Sequence, residues 1–175
     1  MTIELSGSER DRYSAQIEGR AGVDGQLRLK GARAIVVGAG AAGSAAAAQL
    51  ASSGVGYVAI VDGAAVSLRD LAGQAIYYTP DVGQSKADTV AGKLGLLNPE
   101  VQVDSYPVAF TADNAEAIVE GHDLVLDCSH EEAVRTALET AGVTALRSAP
   151  GQAAGAALGD DALGVLTRSP DRALT

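Results

Sequence analysis

The stretch Ala34-Ile35-Val36-Val37-Gly38-Ala39-Gly40-Ala41-Ala42-Gly43 runs from four apolar residues straight into three glycines at G-x-G-x-x-G spacing. Such a pattern predicts a buried strand, a tight turn and the start of a helix. Gly38 permits the turn, Gly40 lets the backbone approach a phosphate, and Gly43 lets the helix pack on the strand. The next apolar run, Tyr57-Val58-Ala59-Ile60-Val61, closes on Asp62, nineteen positions after Gly43. An acidic residue there is placed to accept hydrogen bonds from ribose hydroxyls.

Outward from this unit, strands and helices alternate. Strand one is expected at 33–37, its helix at 41–53, and strand two at 57–62 after the stop Gly54-Val55-Gly56. Helical spacing follows over 83–97, ended by Asn98-Pro99, and 101–106 alternates like a third strand. A short helix at 114–120, an apolar strand at 123–128, a helix at 131–141 and a fifth strand at 143–148 complete the pattern. The expected fold is α/β, a Rossmann-like, doubly wound, mostly parallel sheet with ligand at the carboxyl ends of its strands. Residues 1–32, with Tyr13, Ile17, Val23, Leu27 and Leu29 spaced among charges, read as an N-terminal helical arm. The nucleotide-binding domain is expected over 33–167, with 150–167 ambiguous in type and 168–175 a flexible tail.

Composition narrows the function. The chain has 175 residues, 47% apolar, with 22 acidic against 13 basic side chains and a net charge of -9. It can bury a core, and its charge argues against nucleic acid or an anionic membrane surface as partner. The first twelve residues carry no export signal, so the cytoplasm is the expected compartment. Residues 34–48 lack charge, but small residues and a turn mark them as strand plus helix rather than a membrane span. Cys128 is the single cysteine, which rules out a disulfide within the chain or a four-cysteine zinc site; a buried structural role is favoured over a nucleophilic one.

Beyond the glycines, the chain resembles the ThiF/MoeB group of ubiquitin-activating-like adenylyltransferases. The resemblance runs through Arg12-Tyr13-Ser14-Ala15-Gln16-Ile17, Gly22-Val23-Asp24-Gly25-Gln26, Val36-Val37-Gly38-Ala39-Gly40, Gly54-Val55-Gly56 and Val61-Asp62-Gly63. It continues through Leu71 to Gln74, Asp81-Val82-Gly83, Leu97-Asn98-Pro99 and Asp123 to Cys128, covering about residues 9–150. It implies ATP rather than NAD as the nucleotide, magnesium, a dimer, and adenylation of the C-terminal glycine of a ubiquitin-like sulfur carrier protein. It stops short of the segments that bear the family's crossover loop, paired CxxC zinc ligands and much of its carrier-docking surface, so no zinc is expected.

The resemblance also assigns residues. Asp62 stands at the ribose-binding Asp, Lys86 at the phosphate-binding Lys, and Gln74 joins Gly38, Gly40 and Gly43 as a cofactor-binding position. Four positions depart from the pattern. Ala15 replaces an arginine that reaches the partner's nucleotide; Asp70 and Gly73 replace an asparagine and an arginine that contact phosphates; His130 replaces an aspartate that holds magnesium. Two missing arginines at about 1.5–3 kcal/mol per charge-assisted bond imply a loss of about 3–6 kcal/mol.

These departures favour a degenerate pseudoenzyme, a nucleotide-binding subunit supporting a catalytic partner as homodimer or heterodimer. The alternatives are an active adenylyltransferase with a rearranged site and an NAD-binding oxidoreductase. Arg10, Arg12 and Arg69 are read as a solvated face, with displaced cations as the alternative. Asp70 is the alternative metal ligand to His130, an imidazole being a poor ligand for a hard cation. His130 is read as a drifted residue at a helix start, with Ser129 as N-cap, against a recruited acid, base or soft-metal ligand. His122 is expected to be exposed in a turn.

Overall fold

The structure, a computed structural model, describes residues 3–147 and 155–168. Its centre is a five-stranded sheet of β1 (Arg33–Val37), β2 (Tyr57–Val61), β3 (Gln102–Tyr106), β4 (Leu124–Asp127) and β5 (Leu146–Arg147). All pairings are parallel, in the order β3-β2-β1-β4-β5. The chain leaves β1 toward β2 on one side and returns to β4 on the other, so the order reverses beside β1. In such sheets, that reversal opens a crevice at the carboxyl ends.

Side chains alternate between two faces, and both are buried. Val36, Val58, Ile60 and Leu126 face a layer formed by α4 (Ala41–Ser52), α5 (Lys86–Leu97) and α8 (Gly155–Arg168). Ile35, Val37, Ala59, Val61 and Val125 face α6 (Ala112–Val119) and α7 (Glu132–Thr140). Burial on both faces explains why β1, β2 and β4 read as continuous apolar runs. Leu50, Leu94 and Leu138 are fully buried and anchor α4, α5 and α7, each contributing about 1.5–3 kcal/mol.

Several boundaries differ from expectation. Within the described residues the fifth strand starts at Leu146 rather than at Val143, since Leu146 and Arg147 are the residues that pair with Leu126 and Asp127 of β4; Ser148 lies outside the described residues. The helix expected from residue 83 begins at Lys86, where the Ser85 hydroxyl accepts from the Asp88 amide as N-cap. The ambiguous segment resolves at Gly155 into α8, which packs against α4 and the helix Gly22–Gly31. Residues 148–154 and the expected tail after Arg168 lie outside the described residues.

The arm is helical but broken into α1 (Gly7–Arg12), α2 (Ser14–Gln16), a π-helical turn (Ile17–Ala21) and α3 (Gly22–Gly31). It is tied to the body by buried polar groups. Asn98 donates to the Tyr13 hydroxyl at 2.8 Å and to the Ala51 carbonyl at 2.7 Å, while Gln26 donates to the Ser53 carbonyl at 2.9 Å. Replacing Asn98 by alanine orphans two buried groups and is expected to cost about 2–4 kcal/mol. Urea titration checks this: the midpoint falls with an unchanged slope.

Candidate functional site

At the carboxyl ends of β1, β2 and β4, a cleft of about 810 Å³ opens between Gly38, Gly40, Ala41 and Ala42 on one side and Ser129, His130 and Glu131 on another. Asp62, Lys86 and Phe110 also line it. This volume suits a small ligand of nucleotide size.

The turn after β1 is built from local requirements. Gly38 sits at φ 94°, and its amide donates to the Val61 carbonyl at 2.8 Å, which carries the chain across the sheet end. A Cβ on Gly43 would overlap the Gly38 carbonyl oxygen, so only glycine lets α4 start this close to the turn. α4 opens at Gly40 with no side-chain cap and no acid in its first turn. Its first-turn amides therefore point partial positive charge into the cleft, the usual provision for an anion.

Asp62 ends β2 as a brace. Its Oδ2 accepts from the Ala39 amide and its Oδ1 from the Ala64 amide, both at 2.8 Å, so one carboxylate couples the two chain turns that flank the cleft. Lone pairs remain for a hydroxyl ligand. Tyr77 completes the support, donating from its buried hydroxyl to the Ala39 carbonyl at 2.6 Å. Burial, and then the nearby Asp62, Asp70 and Asp81 carboxylates, push this phenol above its ordinary pKa and keep it a donor. Sequence reasoning missed Tyr77, since one tyrosine in an aperiodic loop carries no signal.

Lys86 begins α5 and reaches the cleft, but its Nζ lies 2.8 Å from Asp70 Oδ1. Asp70 is buried in the helical turn Leu68–Ala72, where its Oδ2 accepts from the Ser67 amide at 2.8 Å and hydroxyl at 2.7 Å. Gln74 is not among the residues that line the cleft; it donates Nε2 to Asp70 Oδ1 at 3.0 Å.

Burial alone would raise the Asp70 carboxyl, but the Lys86 ammonium and the Ser67 donors outweigh it and hold the group far below the usual carboxylate range. A depressed folded value stabilises the fold above the unfolded pKa, near 3.9, and that stabilisation is lost as pH falls through and below it. The melting temperature of Asp70→Asn is therefore expected to lie below that of the parent at pH 6, with the gap closing as pH drops from 5 toward 2. A gap independent of pH would contradict this origin.

The other departures fall as follows. Gly73 is exposed with open space around it, so an arginine would fit there, and Ala15 lies exposed on α2. Arg10, Arg12 and Arg69 are exposed, and none lines the cleft. His130 does line it, at the left-handed φ of 59°. Ser129 is not the N-cap of α7; Glu131 is. The Ser129 hydroxyl instead donates to Asp127 Oδ1 at 2.8 Å and accepts from the Glu131 amide at 3.1 Å, because the chain turns once more before the helix begins. Among the described residues, no three His, Cys, Asp or Glu side chains gather as a metal-binding group. Asp62 and Glu131 are the carboxylates that line the cleft, and Asp70 is engaged by Lys86.

Cys128 is buried beneath the turn, its Cβ facing Gly43. His122 is half-buried rather than exposed, with its ring 5.6 Å from that of Tyr57, and burial lowers its pKa. Among the described residues, no helix is long and apolar enough to cross a membrane.

Comparison with known proteins agrees with this architecture. The ThiF family model matches residues 13–155. The chain is 43% identical over 126 residues to "Adenylyltransferase and sulfurtransferase uba4" of Pyricularia oryzae, covering 71% of this chain and 26% of that protein. It is 41% identical over 136 residues to the "Sulfur carrier protein adenylyltransferase" of Thermus thermophilus, covering 77% of this chain and 50% of that one. The E. coli tRNA N6-threonylcarbamoyladenosine dehydratase, TcdA, solved in complex with ATP, superposes with a TM-score of 0.76 at 25% identity, over 86% of this chain and 64% of that one. The chain thus spans a quarter to a half of the length of these two curated relatives. With the glycine turn, the acid-ended second strand and a family match over most of its length, the chain belongs to the ThiF family.

Proposed function

We propose that this chain carries the nucleotide-binding half of an ATP-dependent adenylyltransferase that activates the C-terminal glycine of a ubiquitin-like sulfur carrier protein. The observation that carries this reading is the cleft, in which an uncapped helix start, a ribose-height carboxylate and one lysine converge. The curated relatives named as adenylyltransferases and the ATP complex of a structural neighbour support it, and they favour activation over the pseudoenzyme or an NAD-linked oxidoreductase.

In this reaction, a carboxylate oxygen of the carrier attacks the α-phosphorus of ATP. The bond from that phosphorus to the oxygen bridging to the β-phosphate breaks, and pyrophosphate leaves with the electron pair. Asp62 accepts from the ribose, the first amides of α4 and Lys86 meet the phosphates, and Gly38, Gly40 and Gly43 bring the backbone within reach. The chain works as a homodimer or with a related subunit, in the cytoplasm where ATP is at hand.

A second reading, a nucleotide-binding subunit that supports a catalytic partner, is favoured by a specific observation: among the described residues no arginine lines the cleft, and Asp70 holds its lysine. Exchange of labelled pyrophosphate into ATP in the presence of carrier separates the two. Exchange by the isolated protein supports the first reading, and its absence with every carrier tried sinks it. Gly73→Arg sharpens the comparison, changing exchange less than about 3-fold in a site already complete and raising it about 100-fold in one that lacks a cation.

A further inference from the structure

Among the described residues, Lys86 is the only lysine or arginine lining the cleft, so a ligand anion meets its full positive charge there. That charge is already engaged. The side chains of Lys86 and Asp70 are only 14% and 10% exposed, which shields their ion pair from solvent. Of the two, the carboxylate is the fixed member. It accepts from the Ser67 amide, the Ser67 hydroxyl and Gln74 Nε2, all within one short turn that it caps. Lys86 has a flexible four-carbon stem and is the member that can move.

Asp62 and Glu131 add carboxylates to the cleft lining. With Asp70 they make three formal negative charges around one ammonium, offset by about half a positive charge from the start of α4. A metal-free triphosphate carries roughly four negative charges and needs the lysine released; a nucleoside monophosphate or an acyl adenylate carries two or one and can rest on the amides alone.

We propose that Asp70 is a charge filter: by holding Lys86, it makes this cleft select adenine nucleotides of low phosphate charge over the free triphosphate. The inference rests on the nucleotide-binding reading of the cleft. It gives the site a direction, retaining the adenylate end of the reaction more firmly than the ATP end.

Calorimetric titration of the full chain with AMP and with ATP, both in EDTA, tests this. The parent is expected to bind AMP at least about 10-fold more tightly than ATP. Asp70→Asn, nearly isosteric and still able to accept from Ser67, is expected to gain about 10-fold or more for ATP, the scale of one charge-assisted bond, and less than about 3-fold for AMP. If the Asn variant melts early, Asp70→Ser carries the same expectation. A parent that binds both nucleotides alike, or a variant that shifts both equally or neither, overturns the filter while leaving the nucleotide site in place. Failure of every protein to bind either nucleotide overturns the filter and the nucleotide-binding reading together.

Discussion

Gly43→Ala is expected to lower the melting temperature by roughly 3–12 °C and to weaken nucleotide binding at least about 10-fold. The added methyl would overlap the Gly38 carbonyl oxygen and come within 3.2 Å of Cys128 Cβ. The first obstacle is backbone, held by the Gly38 amide bond to Val61, so it cannot swing aside like a side chain. Either α4 lifts from the sheet or the turn deforms. Overpacking of this kind costs typically 1–3 kcal/mol, and here it also displaces the amides that face the cleft. Gly40→Ala is the control for stability, because nothing in the protein lies within 4 Å of a Cβ there. Calorimetric melting of both variants and AMP titration of Gly43→Ala against the parent check the expectation; equal melting of the two variants would refute it.

Asp62→Ala is expected to cost about 2–4 kcal/mol of stability and about 100-fold or more in nucleotide affinity. The two amides that donate to it, from Ala39 and Ala64, belong to the turns that follow the neighbouring strands β1 and β2. Each charge-assisted bond is worth about 1.5–3 kcal/mol, reduced here because the residue is half-exposed and water can replace part of it. Loss of the brace frees both turns, so the binding defect exceeds that of one missing ribose contact. Asp62→Asn separates the roles: its carbonyl keeps one amide while its NH2 faces the other, so stability and affinity fall partway. Denaturant midpoints and titration with AMP against adenosine measure this. An Asn variant equal to the parent would show that the brace carries no weight.

Much of the architecture is legible in the chain because its signals are local. Short apolar runs bounded by turn signals read as strands buried on both faces, while Gly38 answers a left-handed φ and Gly43 the carbonyl oxygen of Gly38, five residues before it. Asp62 is legible for the same reason, as the polar end of a buried strand. Where local patterning fades, so does the sequence signal. α8 has too many small residues to announce itself before it packs on α4, and among the described residues β5 meets β4 only through Leu146 and Arg147. His122 reads as a turn residue, yet the Tyr57 ring covers it.

The loop from Gly63 to Ser85 marks the limit most clearly. Its substitutions, Asp70 and Gly73, are visible in the chain, and the missing cations could be counted from it. The chain alone could not show that Asp70 turns inward, caps its own turn and captures Lys86 sixteen residues later. Nor could it show that Gln74 serves Asp70 or that Tyr77 props the glycine turn. By itself, the sequence determined the sheet, the glycine turn and the acid beside it, because those follow from periodicity and backbone sterics within a few residues. Only the tertiary structure decided which charges reach the cleft and which are spent on one another, because ion pairing depends on where an aperiodic loop is laid down in space.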